Sequence, residues 1–211
     1  MFRLRLSEAL KAIGGVKTCP YCKGYGDGDS EDMGVPCGGC EGTGQVLDLA
    51  PLLAKPKELH EAVRDLILLN ADKIWKEIIE GAPSPFDLYV VGPQRAHSLV
   101  YEVARQLGGT AVVAISHYRS KPDEFVYDTL SLPIPDNATV LFVTDRLDSD
   151  DTLKELLDVI TAARGLITPV NDGKRFSVLP YALTLVSRGS GGMQIDPDLT
   201  LKVISLHQEG V

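Results

Sequence analysis

Two Cys-x-x-Cys pairs confine every cysteine of this chain to residues 19–40. They are Cys19-Pro-Tyr-Cys22 and Cys37-Gly-Gly-Cys40, with fourteen residues between the pairs. That spacing constrains the segment to a hairpin whose two knuckles bring four thiolates tetrahedrally onto one zinc ion. Each pair is followed by alternating glycines, Gly24 and Gly26, then Gly42 and Gly44. The glycines let the chain reverse past the metal and turn backbone N–H groups toward the sulfurs. Disulfides or two redox-active pairs are the competing readings. The opening residues Met1–Glu8 lack a secretion-signal pattern, and two matched knuckles are rarely both redox sites, so zinc is expected. Sulfur at all four positions makes such a site closed and structural rather than catalytic.

The bulk composition narrows the function classes. At 211 residues the chain can bury a sizeable core, and 44% hydrophobic with 24% charged residues suits a globular protein. No apolar run approaches the roughly 18 residues of a membrane span, and a cytoplasmic protein is expected. The net charge is −8 with no block of lysine or arginine. A protein that neutralises phosphates along a duplex is normally basic, so nucleic acid is an unlikely partner. In such an acidic chain the zinc hairpin is expected to be architectural or a protein contact.

Hydrophobic rhythm organises the rest. Residues 4–13 read as a short amphipathic helix stopping at Gly14-Gly15, and the hairpin fills roughly 17–46. Pro51 and Pro56 bracket a linker, giving an N-terminal unit over 1–50 and a second domain over 51–211. From Lys57, the apolar residues Leu59, Val63, Leu66, Ile67, Ile74, Trp75 and Ile78 recur at helical steps, predicting a long helix to about Gly81. Apolar runs at 86–91, 111–116, 139–143, 182–186 and 201–206 alternate with helical patterns at 98–107 and 152–163. Short apolar strands alternating with helices predict an α/β fold with a parallel, doubly wound sheet.

The strand 139–143 running into Thr144-Asp145-Arg146-Leu147-Asp148-Ser149-Asp150-Asp151-Thr152 resembles the signature of type I phosphoribosyltransferases. FDLYVVGP followed by SLVYEVARQLGG resembles that family's first strand, pyrophosphate loop and helix. QVLDLAPLLAKPKELHEAV is similar to the segment of orotate phosphoribosyltransferases that leads from the substrate hood into the first long helix. Val186-Ser187-Arg188-Gly189-Ser190-Gly191 resembles the family's short arginine-glycine turn, so the likeness covers roughly 45–206. The hairpin stands where the orotate enzymes carry part of their hood. Its CxxCxGxG knuckles also resemble the zinc domain of DnaJ-type co-chaperones.

The resemblance implies roles for particular residues. Asp145 would hold the ribose hydroxyls. Arg119 and Lys121, in HYRSKPDEFVYD at the position of the mobile catalytic loop, would clamp the departing pyrophosphate. Arg95, His97, Asp148, Ser149, Thr152 and Arg188 would line the ligand site, with magnesium as an accompanying ion. The sequence departs from the pattern at both phosphate loops. The first of the two acidic positions is Thr144, and Asp150 and Asp151 stand where small residues would cradle the 5′-phosphate. A carboxylate about 4 Å from a phosphate costs roughly 1 to 4 kcal/mol per charge pair. After Gly92-Pro93 come Gln94-Arg95-Ala96-His97 in place of paired glycines, leaving Arg95 and His97 as groups that attract phosphate.

Residues 148–155 also read as an ordinary helix start: Ser149 or Asp148 as N-cap, acids at the positive helix end, and Thr152 with Glu155 as a capping box. A third reading has Asp145 and Asp148 as magnesium ligands. His60 reads as a solvated helical residue, and His117, ending a strand where such sheets bind ligands, as a loop histidine, with a ligand contact as the alternative. Two function classes follow. One is a non-catalytic descendant of the fold that binds a nucleotide-like or ribose-phosphate ligand, or a protein partner through the zinc hairpin. The other is an active orotate-type transferase using phosphoribosyl pyrophosphate and magnesium. Both compromised loops favour the first, and a homodimer is compatible with either.

Overall fold

The computed structural model describes residues 10–26, 36–37, 40, 42–74, 88–118, 125–135, 138–147, 152, 154–156, 158–159, 177–188, 192–196 and 199–209. The chain divides into two compact units, residues 1–59 with 210 and residues 60–209 with 211. The division falls inside a helix, Pro56–Leu69, after Leu59.

In the first unit, residues 10–12 are helical and the chain turns at Gly14 into strand β1, Val16–Thr18. It pairs antiparallel with β2, Gln45–Leu47, in the register Val16↔Leu47 and Thr18↔Gln45. That ladder returns the chain beside itself, so both knuckles emerge at one end of a two-stranded hairpin. Lys17 forms an ion pair with Asp48, and the Asp48 N–H donates to the Gly15 carbonyl at 2.7 Å. The segment read as a linker between Pro51 and Pro56 contains a short helix instead, Ala50–Leu53. Pro51 lies in its first turn, where proline's missing N–H costs nothing, and Asp48 Oδ1 accepts the Ala50 N–H at 3.0 Å.

Helix Pro56–Leu69 buries Leu59, Val63, Leu66 and Ile67, the predicted apolar stripe. The single long helix expected to Gly81 is interrupted at Asn70, whose side-chain amide donates to the Leu66 carbonyl at 3.0 Å. This local bond competes with the helical ladder, and a separate turn follows at Ala71–Ile74. Trp75, Ile78 and Gly81 lie outside the described residues.

The second unit is built on a seven-stranded sheet in the order β5-β4-β3-β6-β7-β9-β8. The strands are β3 Leu88–Pro93, β4 Thr110–Tyr118, β5 Phe125–Leu130, β6 Thr139–Leu147, β7 Ser177–Arg188, β8 Gly192–Asp196 and β9 Leu199–Glu209. The central β4, β3, β6, β7 and β9 are mutually parallel, as the apolar runs predict. The edge strands β5 and β8 are antiparallel and lie outside the predicted strands, because their mixed composition carries no continuous apolar run. Part of HYRSKPDEFVYD, expected as loop, is therefore ladder: His117 pairs with Val126 and Tyr118 with Phe125. Likewise Val186 to Arg188, expected in a turn, continue β7 against β9.

Helix His97–Leu107 follows β3 and ends at Gly108, in the left-handed conformation at φ 73°. It buries Leu99, Val100, Val103, Ala104 and Leu107. A second core gathers Val91, Val112, Val140, Phe142 and Ala182 from four strands under Leu156 and Val159, which lie at helical positions. Gly92 sits where the layers close: a Cβ there would lie 2.3 Å from the Val143 carbonyl oxygen and 2.6 Å from Val100 Cγ2. Among the described residues, no helix is long and apolar enough to cross a membrane.

Candidate functional site

The first candidate site is the cysteine cluster. All four Sγ atoms lie within 4.8 Å of one another, and all four residues are buried. Across the knuckles, Cys19 and Cys37 sulfurs are 3.9 Å apart, and those of Cys22 and Cys40 are 3.5 Å apart. Tetrahedral ligands at about 2.3 Å from a zinc ion stand about 3.8 Å from one another, so the spacing suits a thiolate-bound metal. The knuckles are built alike. Gly26 N–H donates to Cys22 Sγ at 3.3 Å, and Gly44 N–H donates to Cys40 Sγ at 3.2 Å. Reciprocally, Cys19 N–H donates to the Gly44 carbonyl at 2.9 Å and Cys37 N–H to the Gly26 carbonyl at 2.8 Å.

This exchange explains the alternating glycines. Gly26 and Gly44 have φ of 81° and 69°, and a Cβ at either would lie 2.3 Å from a carbonyl oxygen of the opposite knuckle. Burial opposes ionisation of Cys22, but N–H groups of Gly26 and Gly24 and the neighbouring thiols bring it down to about 7. Burial and the adjacent thiols push Cys40 up to about 11. Cys22 therefore ionises before Cys40, and a metal that binds both must displace the Cys40 proton.

The second candidate site lies in the sheet unit. Chain order reverses between β3 and β6, which are spatial neighbours whose crossovers lead to opposite sides. Such a switch point, at the C-terminal ends of parallel strands, is where open α/β sheets bind ligands. Two predicted residues meet here. Arg95 lies in the short 3-10 turn Gln94–Ala96 after β3, and Asp145 lies near the end of β6. Arg95 Nη1 donates to Asp145 Oδ1. Its Nε donates to Glu155 Oε2 at 2.5 Å, and its Nη2 to Thr144 Oγ1 at 3.4 Å. The Thr144 hydroxyl is also 3.4 Å from Asp145 Oδ1. The guanidinium fork is thus spread over β6 and the helical segment after it.

Asp145 is 7% exposed because β6 continues to Leu147, past the end expected at residue 143. Thr144 pairs with Thr184 and Leu147 with Ser187 in the β6–β7 ladder, so the acid stands inside the strand. Magnesium, which the sequence resemblance implies here, takes hard oxygen ligands and keeps several waters. The arrangement does not fit it: the Asp145 carboxylate already binds a cation. A divalent ion about 4 Å from that guanidinium meets repulsion of roughly 2 to 8 kcal/mol, from aqueous to near-surface screening.

His97 opens helix His97–Leu107 and is exposed, its Nδ1 3.1 Å from the Gln94 carbonyl oxygen and its Nε2 3.3 Å from Ser98 Oγ. It serves the helix start. Thr152 is half-buried at a helical position, and Arg188 ends β7 opposite Glu209. Arg119, Lys121, Asp148 and Ser149 lie outside the described residues, as do Asp150 and Asp151. The place of Glu155, three residues after Thr152, predicts only a capping residue and carries no signal of its bond to Arg95.

His60 corrects another expectation. Rather than being simply solvated, its Nδ1 lies 2.8 Å from Glu102 Oε1, 2.7 Å from Arg105 Nη2 and 3.0 Å from Gln106 Nε2. Burial raises the Glu102 carboxyl, but hydrogen bonds from Arg105, Gln106 and His60 outweigh it and hold the group at about 2. The same carboxylate raises Arg105 above its ordinary value.

No protein-family profile and no curated protein matches the sequence. Solved structures do. Orotate phosphoribosyltransferase from Aeropyrum pernix matches at a TM-score of 0.58 with 17% identity, over 96% of this chain and 93% of that one. The fold is that of a type I phosphoribosyltransferase. The adenine phosphoribosyltransferase of Giardia lamblia, complexed with 9-deazaadenine, matches at 0.51 with 17% identity over 96% and 98% of the two chains. Leishmania donovani UMP synthase matches at 0.53 with 15% identity over 97% of this chain and 36% of that protein.

Proposed function

We propose that this chain is a zinc protein of phosphoribosyltransferase fold that has left magnesium-dependent base exchange and keeps its switch-point cleft for a nucleotide-like ligand. The observation that carries this reading is the engagement of Asp145 by Arg95, at the position where the resemblance asks for a carboxylate open to ribose. Two sequence features support it: Thr144 in place of an acid, and Asp150 with Asp151 where a phosphate would approach. The nucleobase analogue in the Giardia structure supports the ligand class. The cysteine site holds zinc in a structural role. Its first knuckle carries Tyr21 and Tyr25, 75% and 84% exposed, which suits a protein-contact surface. Four reduced thiols are consistent with a cytoplasmic setting.

The competing reading is an active orotate-type transferase, with Asp145 at the ribose hydroxyls and Arg119 and Lys121 as clamps. Retention of Asp145 and the likeness to the Aeropyrum enzyme favour it. Calorimetry separates the two. Phosphoribosyl pyrophosphate with magnesium is expected to bind weakly or not at all, whereas nucleoside monophosphates bind without added metal. Tight binding of phosphoribosyl pyrophosphate with release of pyrophosphate on adding orotate or adenine would overturn the proposal.

A further inference from the structure

We infer that the Arg95 guanidinium stands in the place of a divalent cation at the switch point, so that this chain supplies its own cation where the fold family brings magnesium. The inference deepens the proposed function and rests on it in one respect, the assignment of the β3–β6 edge as the ligand site. Arg95 binds as a bridging cation would. It donates to a carboxylate of β6 through Nη1, to a carboxylate of the following helical segment through Nε at 2.5 Å, and to the Thr144 hydroxyl through Nη2 at 3.4 Å. Three oxygens from two elements converge on one positive group, a donor set of the kind that hard metal ions accept. The partner carboxylates are sheltered, with side-chain exposures of 10% for Asp145 and 19% for Glu155. A guanidinium on the same chain is present at high effective concentration and has no dehydration cost comparable to that of magnesium.

Three consequences follow. In the wild-type protein Arg95 offsets one of the two carboxylate charges and fills the position between them, so added metal gains little there. Removing the guanidinium leaves two carboxylates and a hydroxyl facing one vacated position, which then takes a divalent ion. A ligand seated at this edge meets a fixed, planar, singly charged donor, which favours a group that accepts its N–H bonds directly, such as the phosphate of a nucleoside monophosphate, over a magnesium-chelated pyrophosphate.

Manganese(II) tests this without any substrate. The full chain, with its cysteine site first saturated with zinc, is titrated with manganese and the free ion is followed by electron paramagnetic resonance. Wild type is expected to bind no equivalent below millimolar manganese. Arg95→Ala is expected to bind one equivalent at least tenfold more tightly, and Arg95→Ala with Asp145→Asn to lose that gain. Equal manganese binding by wild type and Arg95→Ala, or no gain in a folded Arg95→Ala, overturns the inference. If Arg95→Ala does not fold, the wild type still decides: manganese must leave the amide resonances of Thr144, Asp145 and Glu155 unbroadened, and selective broadening overturns the inference. Turnover of phosphoribosyl pyrophosphate by the wild type would overturn the proposed function instead, because that assay does not read the manganese site.

Discussion

Gly44→Ala probes the reciprocal knuckle pairing most directly. Gly44 has φ of 69°, and a Cβ on it would lie 2.3 Å from the Gly24 carbonyl oxygen and 2.9 Å from its carbonyl carbon. Placing an L-residue in the left-handed region costs about 1–2 kcal/mol. Separating the overlapping atoms requires a backbone shift of about 1 Å in a closed site, for which overpacking costs of about 1–3 kcal/mol are typical. The same shift displaces the Gly44 N–H, 3.2 Å from Cys40 Sγ, and the Gly44 carbonyl, which accepts from Cys19 N–H. Together this is about 2–5 kcal/mol. It falls on the closed hairpin alone, and metal binding is coupled to closing it, so zinc affinity should fall roughly thirtyfold to a few thousandfold. Gly14→Ala is the control: its φ is 76°, but a Cβ there meets nothing within 4 Å, so only the conformational cost applies. Competition against a chromophoric chelator at fixed pH reads both variants. Zinc affinity of Gly44→Ala within threefold of wild type would refute the reasoning.

Three further outcomes are expected. Metal analysis of protein purified without chelator should give one zinc per chain, and Cys22→Ser should lose it while the cooperative melting of the sheet unit persists; loss of both transitions would deny the two units their independence. Phe142→Ala, which empties a fully buried position in β6, should cost about 3–5 kcal/mol in urea unfolding. Glu102 is held at about 2, below its ordinary value of 4.5, so its stabilising effect is complete above about 4.5 and is lost as pH falls toward 2. Glu102→Gln should destabilise the protein by about 1–2 kcal/mol at neutral pH and flatten the stability profile over that acid window.

Much of this molecule is legible in the amino-acid order, because the relevant forces are local or repetitive. The Cys-x-x-Cys spacing specifies the four-cysteine cluster, since thiol number and knuckle glycines are properties of a short segment. The apolar runs at 111–116, 139–143 and 182–186 mark central strands, because a strand buried on both faces must be apolar throughout. Other features depend on what lies across the fold. The antiparallel edge strands have no such run and take their place by pairing with β4 and β9. The helix break at Asn70 depends on whether a side-chain amide outcompetes the backbone ladder. Sequence alone shows Arg95, Asp145 and Glu155 as three charges, two in segments that follow strands and one in a helix. That they pair with one another is decided by the β3–β6 neighbourhood, because a guanidinium finds its partners through space, fifty and sixty residues away.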